Sequence, residues 1–403
     1  MYQINGAVKQ SLHFPIVFLL AFVIVFGSCR NKKDEEKNVS PEEMDTHVQA
    51  KIANLLKASA EKLKLDDSTS LSFYPVLNYY YSSTSYKPVW SSKEEWKPYA
   101  DSLIAYIGSS ERDGLFPEKY QYKNLRALQQ TLLADSSKRK DVQFWARAEL
   151  LLSNAFFNIL QDHKQGRIIP DSIAFKNNAQ QQEHFFSANI KKLPAGEFLS
   201  SIFAAVQPTL KDYVTLKNSI PFFLDSMDRS NYTYVNYPGK DSLSLLKNVL
   251  KRLGESGYSV AGSKPDSAML SELLVKYQKA KGLKQTGKIS AGLAAVLNNT
   301  DKEKFKRVAI TLDRYKQLPA TLPEKYIWVN MPAYNLKVWD KDTLVMESKV
   351  IVGKPGTPTP VINSEISDLV IYPTWTVPTS IIVKELLPGL KRNPGHLARK
   401  GLG

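Results

Sequence analysis

Cysteine is almost missing from this sequence: 403 residues contain one, Cys29. That excludes an intramolecular disulfide and a cysteine-rich zinc site, and any thiol chemistry in the chain must use that one residue. Histidine is scarce as well, with only His13, His47, His163, His184 and His396. The longest apolar run is about 13 residues, short of the ~20 that a bilayer span needs, which argues against a polytopic membrane protein. Acidic residues are under-supplied: Asp plus Glu is 39 against 54 Lys plus Arg, a net charge of +15. The basic residues are scattered and no nucleic-acid motif accompanies them. The charge therefore points to adhesion on an acidic surface and not to a nucleic-acid partner. What is present is ordinary globular composition, 43% hydrophobic and 23% charged. At ~150 residues per domain, the length suggests two to three domains.

The N-terminus accounts for the cysteine. Lys9 is the only charged residue before Cys29, and residues 14–26 are aliphatic or aromatic except for Pro15. The run has the length of a signal-peptide core and ends Phe26-Gly27-Ser28-Cys29, small residues directly before a cysteine. This resembles a bacterial lipobox. The resemblance implies a lipoprotein signal peptide over 1–28, cleavage before Cys29, and acylation of its thiol as a membrane anchor. A short membrane anchor that happens to contain a cysteine is the alternative. Residues 30–37 are strongly charged and cannot pack into a core, so 29–46 is expected to be a flexible tether. Lys33-Asp34-Glu35 also resembles the export signal of some Bacteroidota surface lipoproteins. The expected location is the cell envelope, on the periplasmic side or the outer-membrane surface.

Residues 47–235 read as a mainly helical scaffold. Ile52, Leu55, Leu56 and Leu63 open a helical-period pattern, and 144–160 is a strong buried-helix candidate, followed by Gly166 and Pro170 as stop signals. Residues 240–300 form a compact three-part unit. Leu245, Leu246, Val249, Leu250 and Leu253 share one stripe, and Met269, Leu270, Leu273, Leu274 and Tyr277 repeat its spacing. Leu293, Val296 and Leu297 mark a shorter third helix. Matching stripes predict a three-helix bundle. From 325 onward the pattern becomes β-prone. Residues 326–329, 336–339, 344–352 and 370–372 are strand candidates, with Asp340-Lys341-Asp342 as a hairpin turn. A short helix is expected over 380–387, capped by Thr379 or Ser380. The fold class is multidomain α+β.

Two resemblances follow. Leu253-Gly254, Gly257-Tyr258, Tyr277-Gln278, Gly282-Leu283, Thr286-Gly287 and Leu297-Asn298 resemble the common three-helix peptidoglycan-binding domain, with Tyr277 where Phe is usual and Thr286 where Asp is usual. That implies glycan binding, with Tyr258, Tyr277 and Gln278 as candidates; a bundle that binds nothing is the alternative. The stretch 329–401 resembles the catalytic domain of the L,D-transpeptidases, large Gram-negative type. It is carried by Val350-Ile351-Val352-Gly353, Thr359-Pro360, Tyr372-Pro373-Thr374-Trp375-Thr376-Val377-Pro378 and Asn393-Pro394. Pro88-Val89-Trp90, Gly166-Arg167 and Leu312-Asp313-Arg314-Tyr315 fit that family's helical scaffold. The resemblance implies peptidoglycan stem peptides and glycan as partners, no cofactor and no metal. Thr359, Pro373, Trp375, Val377 and Pro378 become substrate-groove candidates, with Trp375 favoured as a core residue.

In that family a cysteine in Ser-His-Gly-Cys attacks a stem-peptide carbonyl, assisted by histidine. Residues 325–403 hold no cysteine and no Ser-His-Gly-Cys, and the one histidine there, His396, is not followed by Gly-Cys. No catalytic residue is therefore assigned. The chain is expected to be a piece of a longer protein, holding a partial catalytic domain; a non-catalytic peptidoglycan-binding lipoprotein is the alternative. His396 is expected at the surface. A hydrolase would need a carboxylate pair or metal site, and the nearest acids, Glu111, Asp113 and Glu118, are expected to be solvated.

Overall fold

The computed structural model describes residues 40–58, 63–66, 69–168, 179–258, 267–319 and 321–402. Cys29, the signal peptide, the proposed export signal and Pro170 lie outside them. The first helix, α1 (Pro41–Lys57), starts at Pro41, inside the stretch expected to be tether. Glu43 accepts from both the Ser40 hydroxyl (2.9 Å) and the Ser40 backbone N–H (3.4 Å), which fixes the helix start. Met44, Val48, Ile52 and Leu56 then bury one stripe, so the chain is packed from Met44 onward.

The scaffold is built around one long helix. After the hairpin β1 (Leu63–Asp66) and β2 (Thr69–Leu71) come α2 (Tyr74–Ser83), the short pair β3 (Ser91–Ser92) and β4 (Glu95–Trp96), α3 (Pro98–Gly108) and α4 (Tyr122–Ala134). These surround α5 (Val142–Lys164), which α6 (Ala179–Ile190) and α7 (Leu199–Ala204) also touch. Asp141 caps α5 by accepting from the Phe144 N–H at 3.0 Å. The helix is buried on nearly every face between Phe144 and Leu160, as expected of a helix that is apolar all round. Trp90, Trp145, Phe156 and Phe157 are fully buried in this core. A second core joins Tyr213 and Ile220 of α8 (Lys211–Ser226) to Phe305 and Leu312.

The three-helix bundle forms as the periodicity predicts: α9 (Ser242–Glu255), α10 (Ser267–Ala280) and α11 (Ala291–Leu297) enclose Val249, Leu253, Leu274, Tyr277, Leu293 and Leu297. The Leu-Asn pair at its end has a physical role. Asn298 accepts the Val235 N–H through Oδ1 and donates to the Val235 carbonyl through Nδ2, both at 2.8 Å. That clamps the entering chain to the bundle's last helix.

Helix α12 (Asp301–Tyr315) leads into an antiparallel sheet of order β5-β6-β7, with β5 (Lys325–Asn330), β6 (Asn335–Asp340) and β7 (Thr343–Lys349). Val329 pairs with Leu336, and Asp340 with Thr343. The predicted hairpin turn is there: Lys341 and Asp342 both take positive φ, 46° and 64°, as a two-residue turn matched to strand twist requires. Two strand expectations fail. Residues 350–352 and 370–372 are neither helix nor strand, and Tyr372 is 93% exposed. A β-prone run needs a neighbouring ladder, and no partner strand stands beside them among the described residues. The C-terminal helix is longer than predicted and starts differently. It runs through α13 (Thr379–Ile381), a π-turn at Ile382–Leu386 and α14 (Leu387–Arg392), and α15 (His396–Arg399) follows. Pro378, not Thr379 or Ser380, is the cap residue, its carbonyl accepting from the N–H groups of Ile381 and Ile382. The π-turn ends at Leu386, two residues before Pro388, which has no N–H to donate to the preceding turn of an unbroken α-helix.

Candidate functional site

Two places hold the candidate residues singled out by sequence, and a third stands out in the structure. In the catalytic-domain segment, the Thr359 hydroxyl accepts from the Gly353 N–H at 2.8 Å, closing the proline-rich loop on itself. Pro373, Trp375 and Pro378 are exposed and Val377 is half-buried. Trp375, expected in a core, is 65% exposed. Its flanking prolines restrict the backbone but supply no packing surface. Among the described residues no hydrogen bond or ring pair draws these five groove candidates together. The sheet itself is tied back to the scaffold helix: the Tyr315 and Trp328 rings lie 6.4 Å apart.

In the bundle, Tyr277 and Gln278 are each 2% exposed. The Gln278 Oε1 accepts from the N–H groups of Thr286 (2.9 Å) and Gly287 (3.0 Å), while Nε2 donates to the Lys288 carbonyl (3.2 Å). Gln278 therefore pins the 284–288 loop to α10. Tyr277 packs edge-on against Tyr258 at 5.2 Å. Of the three candidates only Tyr258 keeps surface for a ligand. The family pattern at the other two positions has a packing cause.

The third place was not anticipated. Where α12 docks on the scaffold, buried and half-buried polar side chains form two neighbouring sets. Gly166, at φ +73°, brings the chain so close to Asp313 that an added Cβ would lie 2.9 Å from the Asp313 Cβ. Arg167 donates to Asp313 at 2.8 Å and stacks over Phe116, 4.7 Å from the ring centre. Lys316, with a fully buried side chain, bonds the other Asp313 oxygen at 3.1 Å. Next to this pair, the Tyr106 hydroxyl lies 2.6 Å from both Asp113 Oδ2 and His163 Nε2. Tyr106 donates to the carboxylate and accepts from the ring, which assigns the proton to His163 Nε2 and leaves Nδ1 bare; Nδ1 has no hydrogen-bond partner. Burial, with Lys316 adding to it, pushes the His163 imidazole down to about 3. Burial works against ionisation of Asp113, yet Lys217, 2.9 Å away, and the Tyr106 hydroxyl hold its carboxyl below the ordinary range. Asp113 is thus an internal anion, contrary to the expectation that it is solvated. Asp162 similarly takes Lys119 at 2.7 Å and Tyr120 at 2.6 Å.

This constellation is chemically suggestive, but His163 is completely buried and serves no external substrate. It bonds Tyr106 and packs on Phe203, while α12 is held by Arg167 through Asp313 and the Ala309 carbonyl. Glu149 plays a comparable part inside α5. It accepts from the backbone N–H groups of Val89 (2.8 Å), Trp90 (2.9 Å) and Ser91 (2.8 Å) and from the Ser91 hydroxyl, which is why the Pro-Val-Trp turn sits where it does. Burial pushes its carboxyl above the ordinary range against those bonds. A sequence signal existed for both: a charge and a histidine inside or at the end of an otherwise apolar helix. Half-buried His396 is placed against Gly389. Among the described residues no three His, Cys, Asp or Glu side chains converge on a metal site, and no helix is long and apolar enough to cross a membrane.

Comparison with known proteins now bears on these parts. The model of a scaffold domain matches residues 75–220, and the model of the L,D-transpeptidase catalytic domain matches residues 324–403. A curated protein of Haemophilus influenzae, described as "Putative L,D-transpeptidase", is 39% identical over 71 residues. That stretch covers 18% of this chain and 14% of the relative, so the chain spans only a small part of that protein's length. A scaffold domain followed by an L,D-transpeptidase catalytic domain defines the class of the fold. Over residues 324–403 the chain matches the L,D-transpeptidase family, whose members are cell-envelope enzymes.

Proposed function

We propose that this chain is part of a peptidoglycan L,D-transpeptidase working by a cysteine acyl-enzyme, held in the envelope by a lipid on Cys29. The order of parts carries the reading: a helical scaffold, then α12, then an antiparallel hairpin sheet within the stretch matched by the L,D-transpeptidase catalytic domain. In this chemistry a thiolate attacks the stem-peptide carbonyl beside a terminal D-alanine. D-alanine leaves, a thioester forms, and the side-chain amine of a second stem peptide resolves it. A histidine accepts the thiol proton and backbone N–H groups hold the oxyanion.

Residues 1–403 contain no Ser-His-Gly-Cys, so the proposal assigns the reacting groups to sequence beyond them. The contribution of these residues is placement. The thiolate needs its carbonyl at ~3–3.5 Å, and in this reading an extended peptide lies along the exposed segment that carries Pro373, Trp375, Val377 and Pro378, with Thr359 in the neighbouring loop. The bundle at 240–300 holds peptidoglycan nearby and raises its effective concentration.

The test is D-alanine release from a soluble tetrapeptide. Residues 30–403 alone release none; the gene product carrying Ser-His-Gly-Cys does. The alternative, a non-catalytic peptidoglycan-binding lipoprotein, gives sacculus binding without release from any form. The anchor is tested separately with an acyl precursor: Cys29→Ala loses the label, and a label that persists in the variant removes the anchor from the proposal.

A further inference from the structure

A cleft on the scaffold is lined by residues to which the proposed chemistry gives no role. It holds about 370 Å³. The β3–β4 hairpin lines it with Glu94, Glu95 and Trp96, and α4 lines it with Arg126, Gln129 and Gln130. Asp101 of α3 and Arg139 add to the polar lining, and buried Trp145 and Leu132 back it. Neither the three-helix bundle nor the catalytic-domain segment contributes a lining residue.

Both sides of the cleft are held in place. Asp45 of α1 accepts from the Ser92 hydroxyl at 2.7 Å and from the Lys93 N–H at 2.9 Å, which clamps the hairpin turn. Trp96 packs edge-on against Trp145 at 4.9 Å, and the Trp145 indole N–H donates to the Arg139 carbonyl at 2.7 Å. Opposite them the planar side chains are joined in a row: Arg126 donates to Gln129 at 2.8 Å, and Gln129 donates to Asp101 at 2.6 Å. A ligand therefore meets groups that are already arranged, with little ordering cost.

The lining disfavours a charged ligand. Three carboxylates, of Glu94, Glu95 and Asp101, share the cleft with two guanidiniums, of Arg126 and Arg139, so a cation or an anion meets repulsion as well as attraction. A hydroxyl both donates and accepts and suits either kind of group. The half-buried Trp96 ring supplies apolar surface for the C–H face of a ring-shaped ligand. Two hairpin atoms are also shielded and unpartnered, the acceptor Glu94 Oε1 and the donor Trp96 Nε1. Such atoms cost free energy until they are paired.

We propose that this cleft binds a neutral sugar of one or two rings, lying on Trp96 with its hydroxyls shared among Arg126, Asp101 and Glu95. The volume is near the lower end of the ~300–1,000 Å³ usual for ligand pockets. Glu94 sits at the tip of a two-residue turn, with Lys93 and Glu94 at φ 51° and 66°. Its side chain swings aside as the sugar enters, and one sugar hydroxyl then pairs both Glu94 Oε1 and Trp96 Nε1. This site is separate from the bundle, and it stands whether or not the chain is part of a transpeptidase.

Isothermal titration calorimetry of the full chain tests this, with N,N′-diacetylchitobiose and cellobiose as the probes. Binding of either sugar in the millimolar range is expected. A preference for the first identifies an amino-sugar polymer as the source and a preference for the second a plain glucan, and both support the site. Arg126 is exposed and bonded through Gln129, so Arg126→Ala leaves the fold intact. It weakens binding about tenfold, one charge-assisted hydrogen bond lost. Trp96→Ala abolishes binding, and Trp96→Phe, which keeps an aromatic face and the packing on Trp145, retains most of it. Unchanged affinity in Arg126→Ala, or in a folded Trp96→Ala, places the sugar elsewhere on the chain and overturns the proposal. Absence of binding by both sugars at millimolar concentrations overturns it as well. Tighter binding of the deacetylated, cationic chitobiose than of either neutral sugar does the same, because the cleft then selects charge.

Discussion

Replacing Asp313 by Asn tests whether the α12 junction is held by charge. Asp313 is 1% exposed and faces two cations: Arg167 at 2.8 Å, with a side chain 15% exposed, and Lys316 at 3.1 Å, with a side chain fully buried. Asn keeps the shape but leaves Lys316 without its anion, and removing one partner of a buried pair costs about 3–5 kcal/mol. For a folding unit of this size each kcal/mol moves the midpoint by about 2–4 °C, so the transition should fall by roughly 10 °C at pH 7. Differential scanning calorimetry measures the shift, and the buried Trp90 and Trp145 report on the scaffold by fluorescence. Burial already holds the Lys316 amine below its ordinary value, with Asp313 opposing that shift. Without Asp313 the amine drops further. Its folded pKa then lies well below the unfolded one, so raising the pH toward 9–10 neutralises Lys316 in the fold and narrows the deficit. Adding Lys316→Met should recover most of the loss. A midpoint within 2 °C of the unaltered chain at pH 7, or a deficit that widens at alkaline pH, refutes this account of the junction.

Glu149→Ala strands the buried N–H groups of Val89, Trp90 and Ser91 and should cost at least about 3 kcal/mol in chemical denaturation, with red-shifted Trp90 emission. His163 is neutral in the fold, its pKa pushed down to about 3. The unfolded chain protonates first, so this stability is full above pH 6.5 and lost as pH falls toward 3. His163→Asn should flatten the stability–pH slope in that window by about 3 kcal/mol between pH 7 and 4; an unaltered slope contradicts the assignment. Gln278→Ala releases the 284–288 loop and should make trypsin cut at Lys284 and Lys288 several-fold faster, with a stability loss of about 2 kcal/mol.

What could be read in the sequence followed the range of the forces involved. The α5 stripe, the repeated bundle stripes and the Lys341-Asp342 turn are local patterns, and each formed where predicted. Val370 and Ile371 look like strand residues, but a strand is made by its partner; both are exposed, at 69% and 74%. Trp375 failed for the same reason, since burial is a property of neighbours and not of the tryptophan. The pairs Tyr106–His163 and Arg167–Asp313 join residues 57 and 146 positions apart. No one-dimensional spacing announces such a set. For Gln278 the motif was legible but its meaning was not. The pattern marks a loop clamp, and it is the burial of Gln278 and its bonds to 286–288 that separate a clamp from a ligand contact.

The central claim, that this chain belongs to a crosslinking transpeptidase, is tested most directly on the cell wall. The gene product is expressed in a strain lacking its own L,D-transpeptidases, and the purified sacculi are digested to muropeptides and resolved by mass spectrometry. The account predicts new crosslinks joining two diaminopimelate-type residues, with matching loss of terminal D-alanine from the donor stems. A wall with only the usual 4–3 linkages, in cells where the protein is present and anchored, contradicts it.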